Sequence, residues 1–306
     1  MTSPHVALAM AALLLAAAAC AQSDPQSDPQ SDAQSDAQAS ELQPVELSEL
    51  ERAHEAYRAM DYKTAKEIWR SEAEAGSPEA QYRLGVLYEN GEGVTRDLEA
   101  AAQWYRRAAD GGYAKAQHDL GVLYENGEGV DQNVATAAAL YRQAAEQDHM
   151  LAQYALAMMY RRGIGVPQDF AEARRWLRPV AERGYAVAQV NLAFLYRDGL
   201  GVDRDPGEAL RWFRAAAERH HPVAQNNLGI MYNRGLGVAR DPEAAAAWFE
   251  KAARSGLANA QVNLAAAYER GEGVAQDHQK ARDWYRRAAD QGSEEARQGL
   301  ARLGDE

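Results

Sequence analysis

One cysteine, Cys20, stands in all 306 residues, so no disulfide framework can hold this chain together. Apolar runs are short: Val6 to Ala19 falls well below the ~20 residues of a membrane-spanning helix. Positive charge is also in deficit, with 33 Lys and Arg against 45 Asp and Glu and a net charge of −12. That balance argues against nucleic acid as a partner and against broad adhesion to anionic lipid. No H-E-x-x-H, G-x-S-x-G, P-loop lysine motif or cysteine pair is present. No run of alternating apolar residues points to strands. Cofactors are therefore expected to be none, and so are catalytic and metal-binding residues.

What is present is a repeat of 36 residues, six times in register. Tyr88, Tyr124, Tyr160, Tyr196, Tyr232 and Tyr268 mark it, as do six glutamines from Gln81 to Gln261 and six leucines from Leu84 to Leu264. A fixed period in this range signals an array in which each unit packs on its neighbours. Within the first unit Ala80, Leu84 and Tyr88 stand four apart and predict a short helix A. Gly91 and Gly93 end it, because glycine accepts the left-handed conformation of a helix C-terminus. The G-x-G pairs recur at every such end and so read as turns, not as a phosphate loop. Asp97, Asn133, Asp169, Asp205, Asp241 and Asp277 are expected to cap a second helix, B, in which Pro206 and Pro242 take the first position. Helix B carries Ala101, Trp104, Tyr105, Ala108 and Ala109 on one face. Five of the six tryptophans (104, 176, 212, 248 and 284) share one register position, with Leu140 in the second unit, and are expected to be core. The adjacent pair His220-His221 reads as an exposed turn, since neighbours in sequence rarely ligate one ion together.

The unit A-Q-x-x-L-G-x-x-Y-x-x-G-x-G-V, followed by A-x-x-W-Y/F-x-x-A-A, resembles the Sel1-like repeat, a relative of the tetratricopeptide repeat. Residues 80–88 and 224–232 match it closely, and the resemblance covers about residues 77–292. It implies an all-α, right-handed solenoid superhelix of helix pairs. Residues 45–76 then read as a degenerate N-terminal helix pair, 77–292 as six repeats, and 293–306 as a closing helix in which Arg297 replaces the glutamine. Solenoid ends need such polar outer faces.

The front of the chain bears on location. Residues 1–19 resemble a bacterial lipoprotein signal peptide, with small residues before Cys20 as the lipidated residue. No Lys or Arg precedes the apolar run, and Ala19-Cys20-Ala21 also fits ordinary cleavage, so simple secretion is the alternative. Residues 20–44, built on four copies of Q-S-D-P/A, read as a disordered acidic tether. The expected place is the bacterial envelope, outer membrane by default with the solenoid in the periplasm, and membrane contact only through a lipid at Cys20.

If helix A lines the concave surface, as in tetratricopeptide arrays, function falls to the positions that vary there. One position reads Val86, Val122, Met158, Phe194, Ile230 and Ala266; another reads Glu89, Glu125, Arg161, Arg197, Asn233 and Glu269. With Arg162 and Arg234, units three to five combine apolar groups and arginines, the composition of a protein-binding hot spot. The alternative is that Met158, Phe194 and Ile230 pack between helices. Ile164, Leu200 and Leu236, between the paired glycines, form either an exposed ridge or a tucked contact. Asn191, Asn227 and Asn263 match the family consensus and read as scaffold hydrogen bonders. Tyr82, His118 and Tyr154 form a second, polar aromatic cluster suited to a peptide or glycan. The reading is a non-enzymatic scaffold binding a protein partner of unknown identity, with no nucleic acid. The alternative is a cell-wall or carbohydrate-active hydrolase or binding protein, for which a pair of titratable groups with displaced pKa values would converge in a pocket.

Overall fold

A computed structural model describes residues 47–304. The signal segment, Cys20 and the Q-S-D-P/A tract lie outside the described residues. Among those described are fifteen helices and no strand. A leading pair, α1 (Glu49–Arg58) and α2 (Tyr62–Glu74), precedes six pairs of helix A and helix B. These are α3 (Pro78–Asn90) with α4 (Leu98–Asp110), α5 (Ala114–Asn126) with α6 (Val134–Glu146), and α7 (Met150–Arg162) with α8 (Phe170–Glu182). Then follow α9 (Ala186–Asp198) with α10 (Pro206–Glu218), α11 (Pro222–Arg234) with α12 (Pro242–Arg254), and α13 (Ala258–Arg270) with α14 (His278–Asp290). The last helix is α15 (Glu294–Leu303). Each helix packs on the one before and the one after, which makes the fold an α-solenoid. The leading pair departs from the pattern because three residues, not seven, join its helices.

The turn inside each pair is built as its sequence dictates. Gly91 takes φ 74° and closes α3. The Asp97 N–H then donates to the Tyr88 carbonyl at 2.9 Å while the Asp97 carboxylate accepts from the Ala100 N–H, also at 2.9 Å. The same pair of bonds recurs at Asn133, Asp169, Asp205, Asp241 and Asp277. The second glycine has a further task that its spacing does not reveal. A Cβ on Gly273 would lie 1.9 Å from the Pro242 carbonyl oxygen, so this loop presses onto the first turn of the preceding unit's helix B.

Six glutamines join the units. Gln81, Gln117, Gln153, Gln189, Gln225 and Gln261 each donate from Nε2, at 3.0–3.3 Å, to the alanine carbonyl eight residues earlier, in the last turn of the previous helix B. Those carbonyls are among the four that every helix end leaves without an internal partner.

The tryptophans require a correction. Only Trp212 of the shared register position is buried; Trp104, Trp176, Trp248 and Trp284 are half-buried, as is Leu140. The interior belongs to the following residue: Trp69, Tyr105, Tyr141, Leu177, Phe213, Phe249 and Tyr285 at steps of 36. The tryptophan rings lie instead under cations, Arg107 over Trp104 at 4.7 Å and Lys251 over Trp248 at 3.8 Å among them. An indole on the shoulder of the packed stripe keeps one face for a cation that a fully enclosed ring cannot offer.

Candidate partner-binding face

The variable position of helix A is dictated first by the core beneath it. Where the buried aromatic of helix B is tyrosine, helix A carries glutamate. Tyr141 donates to Glu125 at 2.7 Å, Tyr285 to Glu269 at 2.7 Å, and Tyr105 to Glu89. Burial first, and the carboxylate second, pushes all three phenols above their ordinary pKa. Burial also pushes Glu269 up, but hydrogen bonds from Arg302 and Tyr285 overcome it and hold the carboxyl below its usual value. Where the helix B residue is Leu177, Phe213 or Phe249 no hydroxyl needs an acceptor, and the position reads Arg161, Arg197 and Asn233. The division into acidic flanks and an arginine-bearing centre thus follows from buried hydroxyl chemistry.

Two of those arginines are tied into the scaffold. Arg161 donates to Asn191 Oδ1 at 2.8 Å and Arg197 to Asn227 Oδ1 at 3.0 Å, each reaching the next helix A. Arg197 also pairs with Asp198 at 2.7 Å and covers Phe194 at 4.6 Å. Asn263 donates to Asn226 at 2.8 Å. All three consensus asparagines are therefore scaffold hydrogen bonders, as their pattern implied. Phe194 stands edge-on to Phe213 at 5.2 Å, and Met158, Leu200 and Leu236 pack half-buried on the same core. Ile230 is half-buried on the next cluster. Of the three loop residues only Ile164 is exposed, at 39%. Arg162 and Arg234 are exposed, and among the described residues neither has a carboxylate partner. Asn233 is half-buried.

Tyr82, His118 and Tyr154 occupy one register position in successive units, and each packs in its own place. Tyr82 stacks on Tyr105 and donates to Asp119 at 2.9 Å; His118 meets Asp119 at 2.6 Å and the His149 ring at 5.0 Å; Tyr154 meets Tyr185 at 5.4 Å. Tyr82 and His118 are thus joined through the Asp119 carboxylate, while Tyr154 packs apart from them. Burial first and His118 second lower the pKa of His149, whose Nδ1 accepts from the Ala152 N–H and caps α7. Burial, with the hydrogen bond to Glu92 second, raises the phenol of Tyr57 to about 12. Each displaced phenol lies in a scaffold contact, and no group of three or more His, Cys, Asp or Glu among the described residues is placed to hold a metal.

Sequence reasoning missed Leu151 and Val187, exposed at 45% and 36% at the start of α7 and α9. The signal was available: their register position reads Glu79, Lys115, Leu151, Val187, Val223 and Asn259, turning apolar in units three to five. Three depressions mark the face, one of them, about 170 Å³, lined by Ile230, Asn233 and Arg234 with Asn263 and Arg270. A second, of about 240 Å³, brings Tyr154, Met158, Arg162 and Ile164 together beside Glu125. The third, of about 480 Å³, gathers Arg197, Ile230, Arg234 and Leu236.

The Sel1 repeat profile matches residues 78–113, 114–149, 151–185, 186–221, 222–257 and 258–293. The chain belongs to the Sel1 repeat family. Sel1 repeats form a solenoid commonly used for protein–protein interaction and generally without catalytic activity of its own. Among solved structures the chain is similar to a Sel1 repeat protein from Oxalobacter formigenes: 33% identity, 79% of this chain, 99% of that one, TM-score 0.72. It is also similar to c5321, a protective antigen of uropathogenic Escherichia coli strains, at 41% identity over 76% of this chain with TM-score 0.70. There it spans only 50% of the length of c5321. None of the curated proteins matches the chain. The carbohydrate-active reading gains no support from the Sel1 face.

Proposed function

We propose that this protein is a non-enzymatic scaffold that binds a protein partner on the helix A face of repeats three to five. In this reading it is held in the bacterial cell envelope by a lipid on Cys20. The observation that carries the proposal is apolar exposure. Three of the five large hydrophobics exposed among the described residues, Leu151, Ile164 and Val187, belong to the third and fourth repeats. Ile164 shares a depression with Arg162, and Arg234 lines the other two at the end of α11; neither arginine has a carboxylate partner among the described residues. Exposed apolar side chains and unpaired arginines together have the composition of a protein-binding site. Phe194 and Arg197 are poor choices for a test, because both also hold the scaffold.

The test is crosslinking in the intact envelope with mass spectrometry, comparing wild type with Val187→Asp/Arg234→Glu. A dominant protein partner lost in the folded variant supports the reading; no captured partner, or one indifferent to the change, overturns it. Cys20 is tested separately by metabolic labelling with an alkynyl fatty acid and by Cys20→Ser. Label on wild type alone supports the anchor, and absence of label replaces it with simple secretion.

A further inference from the structure

Successive A helices are bridged by side-chain hydrogen bonds all along the repeats except at one place. Tyr82 to Asp119 joins α3 to α5, Arg161 to Asn191 joins α7 to α9, and Arg197 to Asn227 joins α9 to α11. Asn263 to Asn226 joins α11 to α13, and Arg302 to Glu269 joins α13 to α15. Between α5 and α7 no side-chain hydrogen bond forms among the described residues. Two positions differ here: the one that reads Asp119, Asn191, Asn227 and Asn263 is Ala155, and the one that supplies the donors Arg161 and Arg197 is Glu125. At this place lies the depression of about 240 Å³, lined by Ala155, Met158 and Ile164 among others.

We infer that this gap is an anchor site for one large apolar side chain of a protein partner, presented next to a carboxylate. The inference rests on the scaffold reading and assigns the partner's chemistry. Size sets the apolar part: the volume lies below the ~300–1,000 Å³ of small-molecule sites, so it takes a single side chain. Met158 and Met159 are adaptable walls for such a group. Charge sets the rest. Arg162 is exposed on the rim without a carboxylate partner among the described residues, whereas Glu125 already accepts the Tyr141 hydroxyl. A guanidinium on the rim selects a carboxylate with paired N–H donors.

The probe is N-acetyl-L-phenylalanine, with its uncharged amide as control, titrated into the protein labelled with methyl-¹³C methionine. Expected are saturable shifts of the Met158 and Met159 methyl signals, assigned by Met→Leu variants, with the amide at least fivefold weaker. Ala155→Asn restores the residue found at positions 191, 227 and 263 and should abolish the shifts while thermal unfolding stays cooperative. Should that variant misfold, Arg162→Gln decides alone by lowering acid binding to the level of the amide. No shift, shifts that survive Ala155→Asn, equal binding of acid and amide, or methyl shifts that follow protein concentration alone would overturn the site, the last in favour of a second copy. A crosslinked partner that ignores Ala155→Asn but is lost in Val187→Asp/Arg234→Glu sinks the anchor site and leaves the scaffold reading standing. Absence of any partner sinks the scaffold reading, whatever the titration gives.

Discussion

Replacing Glu125 with leucine should destabilise the second repeat by more than its surface position implies, because the cost falls on a different residue. Tyr141 is 1% exposed, and its hydroxyl donates to Glu125 at 2.7 Å. Without the carboxylate a buried phenol is stranded, at a cost of about 2 kcal/mol. Tyr141→Phe removes the donor and leaves a half-buried carboxylate that water can reach, costing about 1 kcal/mol. The double variant carries neither group and should cost below about 1 kcal/mol, since an apolar pair of similar shape is tolerated. The chain holds its own precedent: Phe249 occupies the equivalent core position opposite Asn233 with no carboxylate in between. The expected coupling is therefore about 2 kcal/mol, in the range for residues that share a hydrogen bond. A global midpoint is the wrong observable, since repeat arrays need not unfold all at once. Native-state hydrogen exchange of the α5 and α6 amides reads the local opening free energy directly. Additivity of the two single changes to within about 0.5 kcal/mol would refute the explanation for the glutamate–tyrosine pairing.

Two glycine positions should separate conformational strain from contact. Gly256→Ala, at φ 88° with no atom near its Cβ, is expected to cost about 1–2 kcal/mol, whereas Gly273→Ala adds overlap with the Pro242 carbonyl and should cost more than twice as much by the same exchange measurement. Asp241→Ala removes the acceptor for the Ala244 N–H and should lower the opening free energy of the α12 amides by about 1 kcal/mol, with Asp241→Asn nearly silent in the same exchange measurement. For pH the sign follows from His149. Its folded pKa lies below the 6.5 of an unperturbed histidine, so the unfolded chain binds more protons in that window and stability falls as pH drops through it. The opening free energy of the α7 amides should decline from pH 7.5 to 5.5, and His149→Ser, which keeps a capping side chain, should flatten the decline; an unchanged slope assigns it to the other half-buried histidines, His54 and His221.

Much of the architecture was legible because repetition multiplies weak local signals. One aspartate before a helix is a modest hint, but six cap formers at steps of 36 leave a single consistent interpretation. The tryptophan position misled for the opposite reason. Trp104 and Tyr105 are neighbours on the same apolar arc, and periodicity alone cannot say which points straight into the packed layer and which lies on its shoulder. The binding face was half legible. Arg161 and Arg197 looked free because their acceptors, Asn191 and Asn227, lie 30 residues away on the next helix A, a distance that no intrarepeat pattern exposes. Leu151 and Val187 were within reach of the same column-by-column comparison that found Met158 and Phe194. The gap at Ala155 required the bonds on either side of it, since an alanine is conspicuous only once its neighbours are seen to reach across.

The glutamine bonds all point one way. Each donor belongs to the later repeat and each acceptor to the end of the earlier helix B, and the second turn glycine likewise seats on the earlier unit. For these contacts a repeat leaving the ribosome finds its acceptors on a predecessor already made, whereas the bridges from Tyr82, Arg161 and Arg197 close only when the following helix A arrives. Synthesis from the N-terminus, with early segments folding first, matches that polarity. These two contacts favour growth of the array toward its C-terminal end, and at α15 the position that carries glutamine in the six repeats is Arg297.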